Sequence, residues 1–144
     1  MISGITILDT NVVSESMRPS PSGIVMTWWS RQQPGALFIT TVTMAEIMYG
    51  TEILPHGKRR LALLAGAEQM FGKVLAGRIL PFDENAARAF PEIAARRRAR
   101  GRPITDLDAQ IAAIAFSRGA ILATRDTADF EGCGVRLVNP WTTS

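Results

Sequence analysis

The chain alternates short apolar segments of β character with longer segments of helical periodicity, and this alternation constrains its fold more than any other feature. Five segments are typical of buried strands: residues 5–8, 37–40, 78–82, 120–123 and 135–138. Helical segments separate most of them, and a helical crossover brings the chain back parallel to the preceding strand. The pattern therefore predicts an α/β fold with a mainly parallel central sheet of about five strands flanked by helices.

Apolar periodicity and capping residues predict where the helices lie. We expect helices over about 24–29, 43–54 and 58–75, a fourth from Asp83 into the arginine run, and a fifth opening at Thr105 or Asp106. A loop containing Pro19 and Pro21 is expected between the first strand and the first of these helices. Pro91 predicts a kink or a break in the fourth helix, because proline donates no backbone hydrogen bond.

Length and composition narrow the class of protein. A chain of 144 residues, 47% hydrophobic and 20% charged, suits one globular domain spanning 1–144. No apolar stretch is long enough to span a membrane and no signal peptide is recognisable, so we expect a cytoplasmic protein that contacts no membrane. A single cysteine and a single histidine exclude a Cys/His zinc site. The net charge of +3, carried mostly by arginine, suits a nucleic-acid partner without requiring one.

Acidic residues follow two of the predicted strands. Asp9 ends the first apolar run, and Asp126 follows the strand at 120–123 after Thr124 and Arg125. Parallel strands present their carboxyl ends at one edge of the sheet, which is where ligands bind in such folds. Burying an ionised carboxylate there costs several kcal/mol unless something compensates it. We therefore expect both acids at the same edge of the sheet, where a hydrogen bond or a bound cation compensates their charge.

Two more acids are expected near helix starts. Glu46 and Asp108 are each placed in a first helical turn, on the face that packs inward. The segments Thr43-x-x-Glu46 and Thr105-x-x-Asp108 also match a capping box, which would explain each acid as helix stabilisation alone. Asp106 suits a plain cap better than a ligand. Four acids at one edge would repel one another, however, and such a cluster usually implies a bound cation. Oxygen ligands without cysteine or histidine favour Mg²⁺ or Mn²⁺, which commonly act on phosphodiesters.

Six motifs follow one another along nearly the whole chain: ILDTNVVSE at 7–15, TVTMAEIMYG at 41–50, GRILPFD at 77–83, DAQIAA at 108–113, ATRD at 123–126 and VNPW at 138–141. This ordered set resembles the PIN-domain ribonucleases, specifically the VapC/FitB branch of toxin–antitoxin toxins. The resemblance implies a PIN-like three-layer sandwich and Mg²⁺-dependent hydrolysis of RNA.

The resemblance also implies roles for individual residues. Asp9 and Asp108 would be the most direct metal ligands, with Glu46 and Asp126 positioning water or a second ion. Many relatives carry the last acid three residues later, where Asp129 stands in this chain, so the fourth acid is left open between the two. Asn11 and Thr124 would give polar support to the acids.

Partners follow from the same resemblance. It implies a homodimer, a cognate antitoxin whose tail occupies a groove, a larger assembly with that antitoxin, and contact with operator DNA only through it. Trp28, Trp29, Met44, Met48 and residues 61–70 could line the groove, although core packing is the preferred interpretation. The arginines at 96, 97, 98, 100 and 102 suit either an RNA backbone contact or a solvated helix end. The alternative function is a non-catalytic nucleic-acid-binding module that uses this arginine-rich helix.

Overall fold

The structure is a computed structural model and describes residues 4–142. It contains a central five-stranded parallel sheet flanked by helices, which confirms the α/β prediction. The strands are β1 (Thr6–Leu8), β2 (Leu37–Thr40), β3 (Ile79–Leu80), β4 (Ile121–Ala123) and β5 (Arg136–Val138). The helices are α1 (Thr10–Ser16), α2 (Gly23–Ser30), α3 (Thr41–Glu52), α4 (Lys58–Gln69), α5 (Glu84–Ala99) and α6 (Asp106–Arg118). None of these helices, within residues 4–142, is long and apolar enough to cross a membrane.

The strand order is β3-β2-β1-β4-β5. The chain builds outward from β1 to β2 and β3, and then crosses back to place β4 on the other side of β1. The order of addition thus reverses between β1 and β4, and such a switch point leaves a crevice beyond the carboxyl ends of the two strands. Leu8 pairs with Ala123 in this register, so Asp9 and Thr124 leave the sheet side by side.

Apolar side chains cover both faces of the sheet. Ile7 and Leu122 point to one face, where α5 and α6 contribute Ile93, Ile111 and Ile114. Leu8 and Ile39 point to the other face and pack with residues from α1, α2 and α4. Burial on both faces explains why the central strands are almost continuously apolar rather than alternating. The core therefore fixes the strand ends, and with them the positions of the residues that follow.

The prediction of a loop directly after Asp9 was wrong, because helix α1 begins at Thr10. The segment has little intrinsic helix propensity, since it is rich in β-branched and short polar residues. Two effects override that preference. The Asp9 carboxylate accepts a hydrogen bond from the Thr10 amide, and Val12 and Val13 become fully buried. Tertiary packing and one cap thus produce a helix that local sequence does not predict.

Several other boundaries differ from those predicted. Helix α3 begins two residues early, because the Thr40 hydroxyl accepts a hydrogen bond from the Thr43 amide and acts as the cap. The expected long helix at 58–75 ends at Gln69 and continues as a π-helical turn, Met70–Val74. Strand β3 is shorter than predicted. Helix α5 is capped by Asp83 as predicted, yet it runs through Pro91 without the expected break.

Candidate active site

Asp9 lies at the centre of the crevice beyond β1 and β4. Only 6% of its surface is exposed, because the sheet and α1 enclose it. One carboxylate oxygen accepts a 2.8 Å hydrogen bond from the Thr10 amide, and the other accepts a 2.7 Å bond from the buried Thr124 hydroxyl. Thr124 thereby fixes the carboxylate of Asp9. The structure places Thr124 beside the acid that it was predicted to support.

The environment of Asp9 disfavours its negative charge. Burial is the largest cause and raises the pKa of Asp9 from 3.8 to about 6, although the hydrogen bonds from Thr124 and Thr10 work in the opposite direction. The charges of Asp108 and Glu46 raise the pKa further. These two acids, which come from α6 and α3, therefore lie close enough to Asp9 to repel it. The structure thus brings three predicted acids to one place.

Glu46 reaches the crevice by a route that the sequence interpretation did not foresee. It is not in the first turn of α3, and it shares no packed face with Gly50 and Ile53, which are both exposed. Instead its carboxylate accepts a 2.9 Å hydrogen bond from the Thr10 hydroxyl, which also lies 3.0 Å from the Thr43 hydroxyl. Thr10, which the sequence interpretation missed as a site residue, therefore directs Glu46 toward Asp9. Its position next to Asp9 was the only available signal.

Asp108 lies in the first turn of α6, as predicted. Thr105 is the cap, because its hydroxyl accepts a hydrogen bond from the Asp108 amide, and Asp106 is an exposed residue of the same turn. The Asp108 carboxyl is half-buried, and burial raises its pKa while a hydrogen bond from Thr105 lowers it. Asp129, Glu46 and Asp126 raise the pKa further by their charges, in that order. Asp108 thus both belongs to a capped first helical turn and lies close to other acids.

Asp126 and Asp129 belong to the turn after β4. Asp126 accepts a 3.1 Å hydrogen bond from the Asn11 side-chain amide, and Asp129 lies three residues further, in the short 3₁₀ turn Thr127–Phe130. Both are exposed, and both repel Asp108. Asn11 also contacts Thr124 at 3.5 Å and accepts from the Arg125 amide, so it ties α1 to this turn. The structure therefore brings Asn11 to the supporting position predicted for it.

No side-chain cation pairs with these acids within residues 4–142. The ion pairs there involve other acidic residues: Glu15, Glu52, Glu84, Glu92, Glu131 and Asp83. In the same part of the chain no three potential ligands form a ready-made metal cage. The donor set is nevertheless all oxygen, partly buried and mutually repulsive, which fits a hard divalent cation in an open, hydrated site.

Two depressions flank Glu46. One has a volume of about 430 Å³ and lies between α3 and α6, with Tyr49, Phe82 and Gln110 among its lining residues. The other, of about 480 Å³, lies between α1, α3 and α4 and includes Met17, Ile47, Leu63, Arg18 and Arg59. Each adjoins the acidic crevice through Glu46. Glu46 is thus accessible from two sides.

The residues predicted for a partner groove divide between core and surface. Trp28 is buried and Trp29 and Met44 pack against the core, as the preferred interpretation held. Met48 and Leu61, by contrast, are 45% and 65% exposed. Helices α3 and α4 thus each present an exposed apolar side chain to solvent.

The arginines of the run at 96–102 also differ in exposure. Arg97 is only 5% exposed, so neither of the two alternatives predicted for the run, an RNA backbone contact or a solvated helix end, holds for this residue. Arg96 pairs with Glu92, and Arg102 pairs with Glu131. The remaining members, Arg98 and Arg100, are exposed. Only part of the run therefore faces solvent, because helical periodicity turns Arg97 inward.

A comparison with known families decides the classification. A model of the PIN domain matches residues 6–132, which include all the acids described above. The chain belongs to the PIN-domain family. The parallel sheet and the position of the crevice agree with that membership, and the resemblance read from the sequence motifs is confirmed.

Similar proteins of this family cover almost the entire chain. The plasmid stability protein StbB of Pseudomonas syringae pv. tomato is 40% identical over 94% of this chain and 97% of its own length. The VapC ribonuclease Y4jK of Sinorhizobium fredii is 38% identical over 94% and 96%, and the toxin FitB of Neisseria gonorrhoeae is 37% identical over 94% and 97%. The structure of FitAB bound to an IR36 DNA fragment superposes with a TM-score of 0.90 at 36% identity, covering 97% of this chain and 98% of that one.

Proposed function

We propose that this PIN-domain protein is a Mg²⁺- or Mn²⁺-dependent endoribonuclease and the toxin of a toxin–antitoxin pair. One observation carries the proposal: Asp9, Glu46 and Asp108 come from three separate elements, repel one another at the switch point of the sheet, and have no cationic side-chain partner within residues 4–142. A fold tolerates such repulsion when a cation relieves it in the working state. The ribonuclease and toxin relatives supply the reaction class.

The residues of the crevice have distinct tasks in this mechanism. Asp9 and Asp108 would hold the metal directly: Asp9 is buried at the ends of β1 and β4, and the partly buried Asp108 interacts electrostatically with Asp129, Glu46 and Asp126. Glu46 would orient the attacking water, with its own carboxylate held by the Thr10 hydroxyl. Asn11 and Thr124 would keep the neighbouring carboxylates in place through hydrogen bonds. When bound, the metal would supply Lewis acidity at the scissile phosphate and lower the pKa of water.

Partners follow from the relatives and the surface. Structures that resemble this chain include FitAB bound to a DNA fragment, DNA-bound VapBC from Salmonella typhimurium and a member of the VapBC family of toxin–antitoxin systems. We propose that a cognate antitoxin covers the depression between α1, α3 and α4 together with the exposed side chains Met48 and Leu61, and that operator DNA is reached only through the antitoxin. A homodimer, its larger assembly with the antitoxin, a single domain over 1–144 and a cytoplasmic location belong to the same proposal.

Removal of divalent cations tests the proposal. We expect the purified protein to cleave a pool of cellular RNA in Mg²⁺, to lose at least 99% of that rate in EDTA, and to regain it when excess Mg²⁺ or Mn²⁺ is added, because no side-chain cation can replace the metal. The measurement is the rate of fragment formation on denaturing gels. Undiminished cleavage in EDTA would contradict the mechanism. RNA binding without cleavage in any metal would instead support the non-catalytic module.

The fourth acid can be assigned with a matched pair of variants. We expect Asp129→Asn to weaken cleavage about tenfold and Asp126→Asn less than threefold, because the charge of Asp129 raises the pKa of Asp108 more than that of Asp126 does. Each change preserves side-chain size and removes one charge from the same turn. Initial rates at several Mg²⁺ concentrations measure the effect. The reverse order would assign Asp126 as the fourth acid.

A further inference from the structure

Arg97 is buried and pairs with no carboxylate of residues 4–142, in a helix whose other arginines face solvent. Its guanidinium donates from Nε to the Arg102 carbonyl at 2.7 Å and from Nη1 to the Glu131 carbonyl at 2.6 Å. A longer bond of 3.4 Å runs from Nη1 to the Ala128 carbonyl. A buried charge is costly unless it is fully hydrogen-bonded, and a planar fork of donors suits several carbonyls at once. Arg97 is therefore committed to contacts with two loops.

One loop carries Asp129, and the other leads directly into the helix that carries Asp108. The Ala128 and Glu131 carbonyls lie on either side of Asp129, in the turn that Asp126 opens. The Arg102 carbonyl lies in the connection between α5 and α6, three residues before the Thr105 cap and six before Asp108. The side chain of Arg102 repeats the link, since it donates to the Ala128 carbonyl and pairs with Glu131. One buried guanidinium thus joins the two backbone segments that deliver acids from α6 and from the turn after β4.

We propose that Arg97 is a positioning residue for the acidic site: it holds the α5–α6 connection against the turn after β4, so that Asp108 and Asp129 stay at a fixed separation. The need for such a link follows from charge. Asp108 and Asp129 repel each other, and no basic side chain within residues 4–142 forms an ion pair with either of them. The hydrogen bonds from Arg97 to the Arg102 and Glu131 carbonyls hold the two backbone segments together against that repulsion. This inference rests on the proposed function, because it assigns Arg97 to the same metal site.

Metal binding by folded protein tests the proposal without using activity. The variants are Arg97→Met, Arg97→Lys, and Arg98→Met as the matched control on the adjacent, exposed arginine. Free Mn²⁺ is measured by electron paramagnetic resonance during titration, and amide hydrogen exchange is followed over residues 102–105 and 127–132. We expect Arg97→Met to bind Mn²⁺ at least tenfold more weakly, with faster exchange confined to those two segments. Arg97→Lys should recover part of the affinity, and Arg98→Met should match the wild type.

The possible outcomes distinguish a failure of the positioning role from a failure of the proposed function. If the wild-type protein does not bind Mn²⁺, the proposed function fails. If the wild type binds and folded Arg97→Met binds equally well, the positioning role is overturned while the function stands. Should Arg97→Met not fold, Arg97→Lys and Arg102→Met decide: lysine keeps a cationic donor at position 97, and Arg102→Met leaves the carbonyl contacts of Arg97 in place while removing those of the Arg102 side chain. Wild-type affinity in both would overturn the proposal, and a graded loss in both would support it.

Discussion

Asp108→Asn is expected to lower the rate of RNA cleavage about a thousandfold, while Asp106→Asn leaves it within a factor of two. A thousandfold corresponds to roughly 4 kcal/mol of transition-state stabilisation, a plausible share for one direct metal ligand. Both acids lie in the first turn of α6, so each substitution removes the same favourable interaction with the helix dipole. Only Asp108 is half-buried and coupled to the other acids. Comparing the two variants therefore separates the loss of a metal ligand from any loss of helix stability.

The measurement should combine single-turnover cleavage with growth. Each variant is first shown to have a wild-type melting profile, after which its rate is compared at saturating Mg²⁺. Induced expression without antitoxin should arrest growth for the wild type and for Asp106→Asn, and should be harmless for Asp108→Asn. Equal losses of cleavage rate in the two variants would mean that both acids serve only to stabilise the helix. An active Asp108→Asn protein would remove Asp108 from the metal site.

The parts of this fold that the sequence predicts are those in which local and tertiary preferences agree. Apolar runs ending in Asp9 and Thr124, and the caps Asp83 and Thr105, mark strands and helices whose packing repeats the local pattern. The convergence of Asp9 and Asp126 then follows from the parallel topology, because the strand ends share one edge. Helix α1 was missed because Val12 and Val13 are buried by other elements, which no local propensity records.

Residue orientation was harder to predict than residue position. Glu46 was expected in the site for a reason that proved wrong, since the real determinant is a hydrogen bond to Thr10, 36 residues away in sequence. Arg97 was grouped with its neighbours because a run of arginines looks uniform in sequence. Its burial depends on carbonyls at 128 and 131, which only the fold brings near. Long-range polar contacts of this kind leave no periodic signal.

The second large effect is expected in stability rather than activity. Asp9→Asn should stabilise the metal-free protein relative to wild type by an amount that grows about 2 to 3 kcal/mol between pH 4 and pH 7. The pKa of Asp9 is raised from 3.8 to about 6 in the folded state, mainly by burial. Between those values the folded protein binds more protons at this residue than the unfolded chain does. The free energy of unfolding therefore falls as pH rises through that window, and above pH 6 the loss is complete.

Asparagine removes the charge in both states, so this dependence on pH disappears in the variant. Its cost is independent of pH: the Thr124 hydroxyl loses a charged acceptor, while the bond from the Thr10 amide can be kept. The difference in unfolding free energy between variant and wild type, measured by urea titration at each pH, therefore isolates the carboxylate. Asp106→Asn, an exposed acid, should give a curve parallel to wild type.

Metal completes the prediction, because a bound cation relieves the same charge that destabilises the free protein. At a Mg²⁺ concentration a hundred times the dissociation constant, the wild type should gain about 2.7 kcal/mol at pH 7.5, whereas Asp9→Asn should gain little. The two proteins would then approach or exchange their order of stability. A difference that stays constant across pH would mean that Asp9 is stable as an anion in the metal-free fold, so that its two hydrogen bonds suffice as a helix cap without a metal.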